Sequence, residues 1–380
     1  MDIKNRTTLL TFSSKLCLFM ISTMTIRGRG AAHNPPNRFE TIRYEADPDA
    51  SAPPYQVWNG DEGNPAPATQ FLRDSSRSII AYNESPDIGF EASINPYRGC
   101  EHGCVYCYAR PTHEYLGLSA GLDFETKIFV KEDAPELLRR ELSGPRWQPK
   151  FITISGVTDC YQPAERHFQL TRRCLQVLAE SRNPAGIVTK NHLVVRDLDV
   201  LAELARYDAA CVFLSITTLD SDLAGFMEPR ATRPAGRLAA IEALHRAGVP
   251  VGVMVAPVIP GLTDHEIPSV IAAAAQAGAG FAGYTMLRLP FAIKELFESW
   301  LARHYPEKKD KVLSRIRSVR NGNLSDPRFG SRMRGEGPIA ETISSVFKLA
   351  CRRAGIHGRS PNLTTAHFRR PGGQQGKLFE

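Results

Sequence analysis

The stretch Tyr97-Arg98-Gly99-Cys100-Glu101-His102-Gly103-Cys104-Val105-Tyr106-Cys107-Tyr108 carries three cysteines in the spacing C-x3-C-x2-C. Three thiolates on one short loop can hold three corners of a four-iron cluster and leave the fourth iron without a protein ligand. An iron without a protein ligand is open to a small molecule. The spacing therefore predicts a [4Fe-4S] cluster with a vacant coordination position, held by Cys100, Cys104 and Cys107.

A structural zinc site is the alternative interpretation of the same cysteines. Zinc sites with three cysteines are completed by a fourth ligand, which is often a histidine. His102 and His113 are the histidines that follow or interrupt the cysteine loop. The two interpretations differ in what comes next along the chain, because the cluster interpretation requires a barrel-like domain and the zinc interpretation does not.

The overall composition is that of an ordinary globular protein. The chain has 380 residues, of which 42% are hydrophobic and 23% are charged. This is enough for one large α/β domain with extensions. The five cysteines outside the loop are scattered without pairing signals, at Cys17, Cys160, Cys174, Cys211 and Cys351. Free cysteines suit a reducing compartment, so we expect a cytoplasmic protein.

Positive charge is concentrated near the carboxyl terminus. The net charge of +7 arises because Arg303–Glu380 carries 17 Lys and Arg against 6 Asp and Glu, an excess of +11, while the rest of the chain carries −4. Such an excess favours a phosphate-bearing partner. A solvated basic face is the alternative.

Near the amino terminus, the apolar run Leu16–Ile21 follows three basic residues, Lys4, Arg6 and Lys15. The run is too short to span a bilayer and lacks a clear small-residue cleavage site. We interpret residues 1–24 as a disordered leader, or as a mis-assigned start that precedes Met24, and we expect no membrane-spanning segment.

The remaining chain divides into three parts. Residues 25–85 are rich in Pro, Asn, Arg and Asp and predict a partly irregular N-terminal extension. Residues 86–325 alternate short apolar strands with helical patterns, which predicts βα units and a parallel sheet. Residues 326–380 form a basic C-terminal extension. The expected strands are 92–95, 151–155, 186–189, 211–217, 249–258 and 281–287, the number found in a partial (β/α)6 barrel.

Helical stripes separate these strands. Asp133-Ala134-Pro135-Glu136 predicts a capped helix start. A second helix is expected after Pro163, with Phe168, Thr171, Leu175 and Leu178 on one face. Chemistry in parallel barrels collects at the carboxyl ends of the strands, and the cysteine loop follows the first strand.

In this order, these features resemble the radical S-adenosylmethionine (SAM) superfamily, in the branch that includes spore photoproduct lyase. The resemblance covers about residues 90–320. It rests on the cysteine loop and on four further stretches: Val188-Thr189-Lys190, Phe213-Leu214-Ser215-Ile216, Glu228-Pro229 and Val255-Ala256-Pro257.

The resemblance implies a cofactor pair and a reaction. A reduced [4Fe-4S] cluster passes one electron to SAM, and the resulting 5′-deoxyadenosyl radical takes a hydrogen atom from a substrate. It also implies a one-electron reductant such as flavodoxin or ferredoxin. The protein must orient the cofactors and exclude water.

The resemblance further implies three SAM contacts. Tyr106 would lie against the adenine, Lys190 would meet the methionyl carboxylate, and Ser215 would bond to the ribose or methionyl end. The alternatives are loop packing for Tyr106, a solvent-facing lysine, and a satisfied strand serine.

Two assignments near the second strand depart from the family pattern. The superfamily usually has a glycine-rich turn there, and only Gly156 matches it; a plain turn capped by Thr158 and Asp159 is the alternative. Photoproduct lyase uses a cysteine as hydrogen donor at this place, where the chain has Gly156. Cys160 is the nearest thiol and the candidate catalytic residue, with a buried structural cysteine as the alternative. Repair of thymine photoproducts is therefore not carried over.

Three hypotheses for the substrate follow. The first is a radical enzyme acting on DNA or RNA, with arginines of the C-terminal extension along the polyanion: Arg332, Arg334, Arg352, Arg353, Arg369 and Arg370. The second is a metal-stabilised nucleic-acid-binding protein without catalysis. The third is a radical enzyme acting on a protein or a small molecule.

The last six residues, Gln375 to Glu380, place a glutamine before Leu-Phe and resemble the peptide that docks on bacterial replicative sliding clamps. Such tails insert a few apolar anchors into a groove. Matches of this length are also frequent by chance.

Overall fold

The computed structural model describes residues 26–40, 67–356 and 361–372. The predicted leader at residues 1–24 and the predicted clamp-binding tail, Gln375 to Phe379, lie outside the described residues. Within the described ranges, none of the helices combines the length and the apolar character needed to cross a bilayer.

Ten strands of the described chain form two sheets. The larger sheet has the order β10-β9-β8-β7-β6-β3-β2, and the smaller has the order β1-β5-β4. The strands are β1 (Gln70–Arg73), β2 (Ile80–Tyr82), β3 (Ala92–Ile94), β4 (Tyr97–Arg98), β5 (Lys127–Val130), β6 (Ile152–Ile154), β7 (Ala185–Thr189), β8 (Ala210–Ser215), β9 (Val251–Val258) and β10 (Phe281–Met286).

Six strands of the larger sheet are parallel, and they are the six that the sequence predicts. No predicted end differs from the observed one by more than two residues. The register aligns Ile154 with Ile187, and Ile187 with Val212. These side chains are buried because helices cover one face and the barrel interior lies on the other.

The large sheet does not close on itself. β10 ends it on one side, and the antiparallel β2 ends it on the other, beside β3. The prediction of a partial (β/α)6 barrel is thus confirmed. Because the first and last parallel strands are not bonded to each other, the barrel has an open side.

Nine helices connect or cover these strands in the described chain: α1 (Ala134–Ser143), α2 (Leu170–Ser181), α3 (Leu198–Ala205), α4 (Ser221–Met227), α5 (Pro234–Arg246), α6 (Ile267–Gln276), α7 (Ile293–His304), α8 (Pro306–Ser318) and α9 (Pro338–Ala354). Short turns of helix lie at Arg110–Leu116, Leu122–Thr126, Glu165–Phe168, His192–Asp197, Asp264–Glu266 and Ser331–Arg334.

The helix expected after Pro163 is broken in two. Gln169 adopts a left-handed conformation with φ 49° and separates the turn Glu165–Phe168 from α2. The buried carboxylate of Glu165 accepts the N–H of Thr171 at 3.0 Å, so it serves as the cap of α2. The apolar stripe did not reveal this break because the stripe continues on both sides of it.

The start of α1 also differs from its prediction. Asp133 precedes the helix, but its side chain makes no capping hydrogen bond. Its carboxylate lies 3.5 Å from the guanidinium of Arg73 instead. Pro135 stands in the first turn, where its missing N–H costs no helical bond.

Both extensions pack on the core. Strand β1 of the N-terminal extension pairs with β5, and β2 pairs with β3. Near the other terminus, α9 packs against α6 and adds Ile343 and Phe347 to the main hydrophobic cluster. The extensions are therefore structural parts of this domain.

Candidate functional site

The cysteine loop lies beyond the carboxyl end of β3. The N–H of Cys100 donates to the carbonyl of Phe124 at 3.0 Å, and the N–H of Val105 donates to the carbonyl of Met227 at 3.0 Å. The loop is thus tied on one side to the residues before β5 and on the other side to the end of α4.

A buried charge pair supports the backbone of the loop. Arg110 has no exposed surface, and its guanidinium donates to the carbonyls of Gly103 at 3.2 Å and Cys104 at 2.9 Å. It also forms an ion pair with the equally buried Glu125. A planar guanidinium offers several donors in fixed directions, so one side chain holds several turns of the loop.

Residues 26–40 form a wall against the same loop. The N–H groups of Gly30 and Ala31 donate to the carboxylate of Glu125 at 3.0 and 2.8 Å. A Cβ atom on Gly30 would lie 1.8 Å from the carbonyl oxygen of Gly103, so this close approach requires glycine. The N-terminal extension therefore contributes directly to the site.

The three cysteine thiols lie on one loop and can each bind a separate iron of a cluster. No three His, Cys, Asp or Glu side chains in the described chain are arranged to hold a single metal ion. A cluster instead takes each thiolate on its own iron. Burial raises the pKa of all three thiols, while the ammonium of Lys190 favours the thiolate forms of Cys104 and Cys107. Coordination to iron removes the thiol protons.

Neither candidate histidine is placed as a zinc ligand. His102 Nδ1 lies 3.3 Å from an oxygen of Asp159, and its Nε2 lies 3.0 Å from the amide nitrogen of Asn191. His113 Nε2 lies 2.9 Å from the carbonyl of Lys127. Burial lowers the pKa of His113 to about 4, which keeps the ring neutral. Both histidines position the loop.

Lys190 and Ser215 meet at the ends of β7 and β8. The Nζ of Lys190 donates to Ser215 Oγ at 2.8 Å and to the carbonyl of Ala256 at 2.9 Å. It also lies 3.2 Å from a carboxylate oxygen of Glu228. The structure therefore brings two sequence-predicted site residues into one polar cluster, on the sheet edge that carries the cysteine loop.

Tyr106 belongs to the same cluster. Its hydroxyl lies 3.1 Å from Thr217 Oγ1 and donates to the carboxylate of Glu228. Lys190 Nζ is 5.7 Å from the centre of its ring. The side chain is buried, so the cysteine loop is joined through Tyr106 to the ends of β7 and β8.

Glu228 and Arg237 form a fully buried ion pair at the centre of this cluster. Burial alone would raise the pKa of the Glu228 carboxyl, but the charges of Arg237 and Lys190 outweigh it and hold the pKa well below its usual range. Arg237 also donates to the carbonyl of Ser215 at 2.8 Å. The pair therefore fixes the strand end on which Ser215 stands.

Arg237 was missed by the sequence analysis, although a signal was present. It lies four residues before Ile241 and seven before Leu244, both of which are buried in α5. This spacing places a charged residue on the apolar face of the helix. A charge at such a position needs a buried partner.

Asp159 was predicted as a local cap and does more than that. Its carboxylate accepts the N–H of Tyr161 at 2.9 Å, as a cap would, and also the N–H of Lys190 at 2.8 Å. The same group lies 3.3 Å from His102 Nδ1. One carboxylate thus connects the turn after β6, the end of β7 and the cysteine loop.

The turn after β6 is tightly built around Gly156. A Cβ on Gly156 would lie 3.0 Å from the Cβ of Ser93, a contact tighter than side chains usually make. Ser155 has φ 74°, an uncommon conformation for a residue with a side chain, and its Oγ accepts the N–H of Cys160 at 2.8 Å.

The side chain of Cys160 has no exposed surface and belongs to the main hydrophobic cluster. Burial raises the pKa of its thiol well above the usual value. This is the environment of a structural cysteine, which was the alternative to a hydrogen donor.

Tyr108 and Arg288 are site residues that the sequence analysis missed. Tyr108 is 46% exposed, and its hydroxyl donates to the carbonyl of Gly156 at 2.9 Å. The guanidinium of Arg288, just beyond β10, lies 5.3 Å from the centre of the Tyr108 ring. Tyr108 is recognisable in sequence only by its position after Cys107, and the position of Arg288 depends on the fold.

Four of the six arginines named for a polyanion path, Arg332, Arg334, Arg369 and Arg370, have partners within the molecule, and the path itself stays a prediction. Arg332 pairs with Asp87, and Arg334 donates to the carbonyl of Tyr284 at 2.9 Å. Arg369 donates to the carbonyl of Glu180 at 2.7 Å, near the end of α2. Arginine side chains commonly satisfy the last carbonyls of helices. Arg352 and Arg353 stand on the exposed face of α9.

Comparison with known proteins agrees with this architecture. The family model of the Radical SAM superfamily matches residues 94–274. An uncharacterized protein of Mycobacterium tuberculosis (strain H37Rv) is 36% identical over 292 residues, which are 75% of this chain and 83% of that protein. An uncharacterized protein of Methanocaldococcus jannaschii is 30% identical over 220 residues, covering 58% of this chain and 78% of that protein.

Solved structures show the same fold. Spore photoproduct lyase complexed with dinucleoside spore photoproduct superimposes with a TM-score of 0.57 at 16% identity, covering 76% of this chain and 81% of that one. A mutant of that lyase with bound SAM and the dinucleoside gives a TM-score of 0.56 at 16% identity, with 76% and 80% coverage.

The matched residues include the cysteine loop, β6 to β9 and the Lys190 cluster. The alternative of a non-catalytic metal-stabilised binding protein is therefore wrong. By the family model and its cysteine loop, the chain belongs to the radical SAM superfamily and is an enzyme that uses a [4Fe-4S] cluster and SAM.

Proposed function

We propose that this protein cleaves SAM reductively and uses the resulting radical to take a hydrogen atom from a nucleic acid. The observation that carries the proposal is the convergence of the cysteine loop with Lys190 and Ser215 on one edge of the sheet. That convergence provides thiolates for a cluster and a fixed positive charge for a carboxylate within one connected site.

The residues have separate roles in this proposal. Cys100, Cys104 and Cys107 hold the cluster; when bound, the cluster and SAM supply one-electron reduction and a 5′-deoxyadenosyl radical. Lys190 is assigned to the methionyl carboxylate, which the resemblance implies; because its three donors go to Ser215, Thr217 and Ala256, binding would exchange one of these contacts for the carboxylate. Ser215 bonds to the ribose or methionyl end. Their buried surroundings exclude water from the reacting atoms.

Tyr106 and Gly156 are assigned to the edges of the SAM site. Tyr106 positions the cysteine loop through its hydroxyl bonds, and it is assigned to the adenine because the resemblance implies this contact. Gly156 lets the backbone of the turn approach the methionyl group closely, since its neighbour Ser93 leaves no room for a side chain.

A nucleic acid is favoured as substrate by the residues at the mouth. Tyr108 exposes part of its ring, and the half-buried guanidinium of Arg288 lies beside it. Among the described residues, the Arg288 side chain makes one hydrogen bond, to the sulfur of Met333 at 3.7 Å. The other donors of Arg288 can therefore bind an anion. An aromatic ring beside an arginine suits a base and its phosphate. The neighbour of similar fold holds a dinucleoside photoproduct.

Radical SAM enzymes need a reductant, and we propose a flavodoxin or a ferredoxin in the cytoplasm. Binding of the tail from Gln375 to Phe379 to a replicative sliding clamp stays a prediction. Clamp binding that is unchanged after deletion of Gln375–Glu380 would contradict it.

The proposed chemistry is tested by reconstituting the cluster anaerobically and adding dithionite and SAM. We expect 5′-deoxyadenosine from the wild type and none from Cys104→Ala. A wild-type protein with a loaded cluster that forms no 5′-deoxyadenosine would refute the proposal.

The role of Lys190 is tested separately by SAM binding. Loss of a charge-assisted hydrogen bond costs about 1.5–3 kcal/mol, so Lys190→Met should weaken SAM binding about 10- to 150-fold. Iron content should stay at the wild-type level. Unchanged affinity for SAM would show that Lys190 serves only the buried cluster.

The substrate class is tested by product analysis. DNA, RNA and a protein extract are each incubated with the loaded enzyme and deuterated SAM. Deuterium exchange between SAM and nucleic acid supports the proposal. Deuterium exchange with protein alone would instead support the third hypothesis, a radical enzyme that acts on a protein or a small molecule.

A further inference from the structure

An aromatic patch borders the mouth of the barrel. It consists of Phe39, Tyr115 and Phe291, which are 53%, 72% and 58% exposed, arranged around Arg38. The guanidinium carbon of Arg38 lies 4.6, 5.3 and 3.7 Å from the centres of these three rings. Three large apolar side chains that remain exposed around one cation indicate a binding surface.

The patch is built on the elements that form the catalytic site. Tyr115 stands on the helical turn Arg110–Leu116, which directly follows the cysteine loop. Phe291 lies beyond the end of β10, on the stretch that also carries Arg288. The patch therefore lies beside the cysteine loop, at the same side of the barrel as the mouth.

Buried polar groups hold the patch in place. The amide of Asn37 is buried and donates to the carbonyls of Glu114 at 2.9 Å and Leu118 at 3.0 Å. The Nε of Arg38 lies 3.1 Å from the buried carboxylate of Glu114. Residues 37–39 are thereby fixed on the turn that carries Tyr115.

Phe291 supplies a second, independent indication. Its φ is 52°, in the left-handed region that residues with side chains seldom adopt. Such a conformation costs free energy, and an exposed phenylalanine recovers little of it by burial. Conformations of this kind concentrate at ligand-binding sites.

The chemistry of the patch fits unpaired bases. Base faces stack on aromatic rings and on guanidinium planes without regard to base identity. The terminal nitrogens of Arg38 have no hydrogen-bond partner among the described residues, so they remain as donors for a phosphate.

We infer that the aromatic patch of Phe39, Tyr115 and Phe291 around Arg38 binds unpaired bases of a single-stranded or locally opened nucleic acid beside the active site. The inference rests on the proposed function, since it concerns the substrate of the same site. A duplex with all bases stacked offers no free faces to the patch and would bind it weakly.

The test is fluorescence anisotropy with the full-length, cluster-loaded protein. The probes are a short fluorescein-labelled oligothymidylate and a blunt duplex. We expect tighter binding of the oligothymidylate. Replacing the rings in turn, by Phe39→Ser, Tyr115→Ser and Phe291→Asn, should weaken it about tenfold for each ring removed.

The matched control is Phe226→Ser. Phe226 is also an exposed phenylalanine, 48% accessible, and it contacts the ring of His304 at 4.8 Å, much as Phe39 contacts Tyr115 at 4.9 Å. Unlike the patch rings, it has no guanidinium over its face among the described residues. Its replacement should leave the binding of oligothymidylate unchanged. The circular dichroism and iron content of each variant verify that it is folded and loaded.

Two readouts separate the patch from the chemistry. In the absence of nucleic acid, the triple variant and the wild type should form 5′-deoxyadenosine equally. If the wild type forms no 5′-deoxyadenosine, the proposed function is refuted. The binding assay tests the patch independently of that result. The inference would be overturned if the triple variant bound oligothymidylate as tightly as the wild type does. It would also be overturned if the wild type bound the duplex as tightly as oligothymidylate, or bound neither probe.

Discussion

Asp87 and Arg332 form a bidentate ion pair, with a nitrogen–oxygen distance of 2.6 Å, across the open side of the barrel. Asp87 precedes β3, and Arg332 follows β10. These strands are the first and the last of the six parallel strands, so the pair connects the two sides that the sheet leaves unjoined. The N–H of Gly330 adds a further hydrogen bond to Asp87, at 3.0 Å.

The first prediction concerns the strength of this pair. Asp87→Ala or Arg332→Ala should each lower the free energy of unfolding by about 1–3 kcal/mol, because each leaves a half-buried charge without its partner. A double-mutant cycle in urea should give a coupling of about 1 kcal/mol. The exposed pair Arg246–Glu242 is the control, with an expected coupling below about 0.5 kcal/mol. Additive effects at Asp87 and Arg332 would show that the pair contributes nothing.

The second prediction concerns the pH dependence of the same pair. Hydrogen bonds from Arg332 lower the pKa of Asp87 to about 2, below its ordinary value of 3.8. Because the pKa of Asp87 is lower in the folded than in the unfolded protein, the stabilisation is complete at a pH above the unfolded-state pKa. It is lost as the pH falls through the folded-state pKa. The difference in unfolding free energy between wild type and Asp87→Asn should therefore be constant from pH 7 to 5 and shrink below pH 4. A difference that stays constant down to pH 2 would contradict this.

The third prediction concerns the wall beside the cysteine loop. Gly30→Ala should reduce iron loading after reconstitution, because its Cβ would collide with the carbonyl of Gly103 and displace the loop. Gly280→Ala is the matched control, since a Cβ at Gly280 meets nothing within 4 Å. Iron and sulfide are measured per chain. Full loading of Gly30→Ala would show that the loop tolerates displacement.

The fourth prediction concerns the buried charges below Lys190. Glu228→Gln leaves Arg237 without a counter-charge and should lower the free energy of unfolding by about 3–5 kcal/mol. The double variant Glu228→Gln with Arg237→Met should recover part of this loss, because the unpaired guanidinium is gone. Chemical denaturation of the three proteins decides the matter. If the double variant is no more stable than Glu228→Gln, the ion pair is not the cause.

The fifth prediction concerns Cys160. A core cysteine can be replaced by alanine at a cost of about 1 kcal/mol, the transfer free energy of a small buried group. Cys160→Ala should thus fold, load iron and form 5′-deoxyadenosine like the wild type, with an unchanged pattern of deuterium in the product. A changed pattern would restore Cys160 as the hydrogen donor.

Much of the fold was predictable because its signals are local. The parallel strands β6 to β10 are short apolar runs between helical stripes, and most of their residues are buried. The cysteine spacing identified the cluster loop without any knowledge of the rest. Lys190 and Ser215 came from the resemblance, and the structure brings them within 2.8 Å of each other.

The contacts that complete the site are long-range and have no local signal. Gly30 and Gly103 are separated by more than seventy positions in the sequence, and nothing in either stretch indicates their contact. Arg288 becomes a mouth residue only when β10 is placed beside β9. The break at Gln169 was hidden for another reason, since the buried cap Glu165 lies in a stripe that looks continuous.

Arg332, Arg334 and Arg369, near the carboxyl terminus, give side-chain donors to a carboxylate and to carbonyls of the protein. Such groups attract an approaching polyanion over a distance, but they are not free to turn and grasp it. If the substrate is the nucleic acid proposed above, its attraction to these arginines and its attachment beside the active site would take place on different regions of the surface.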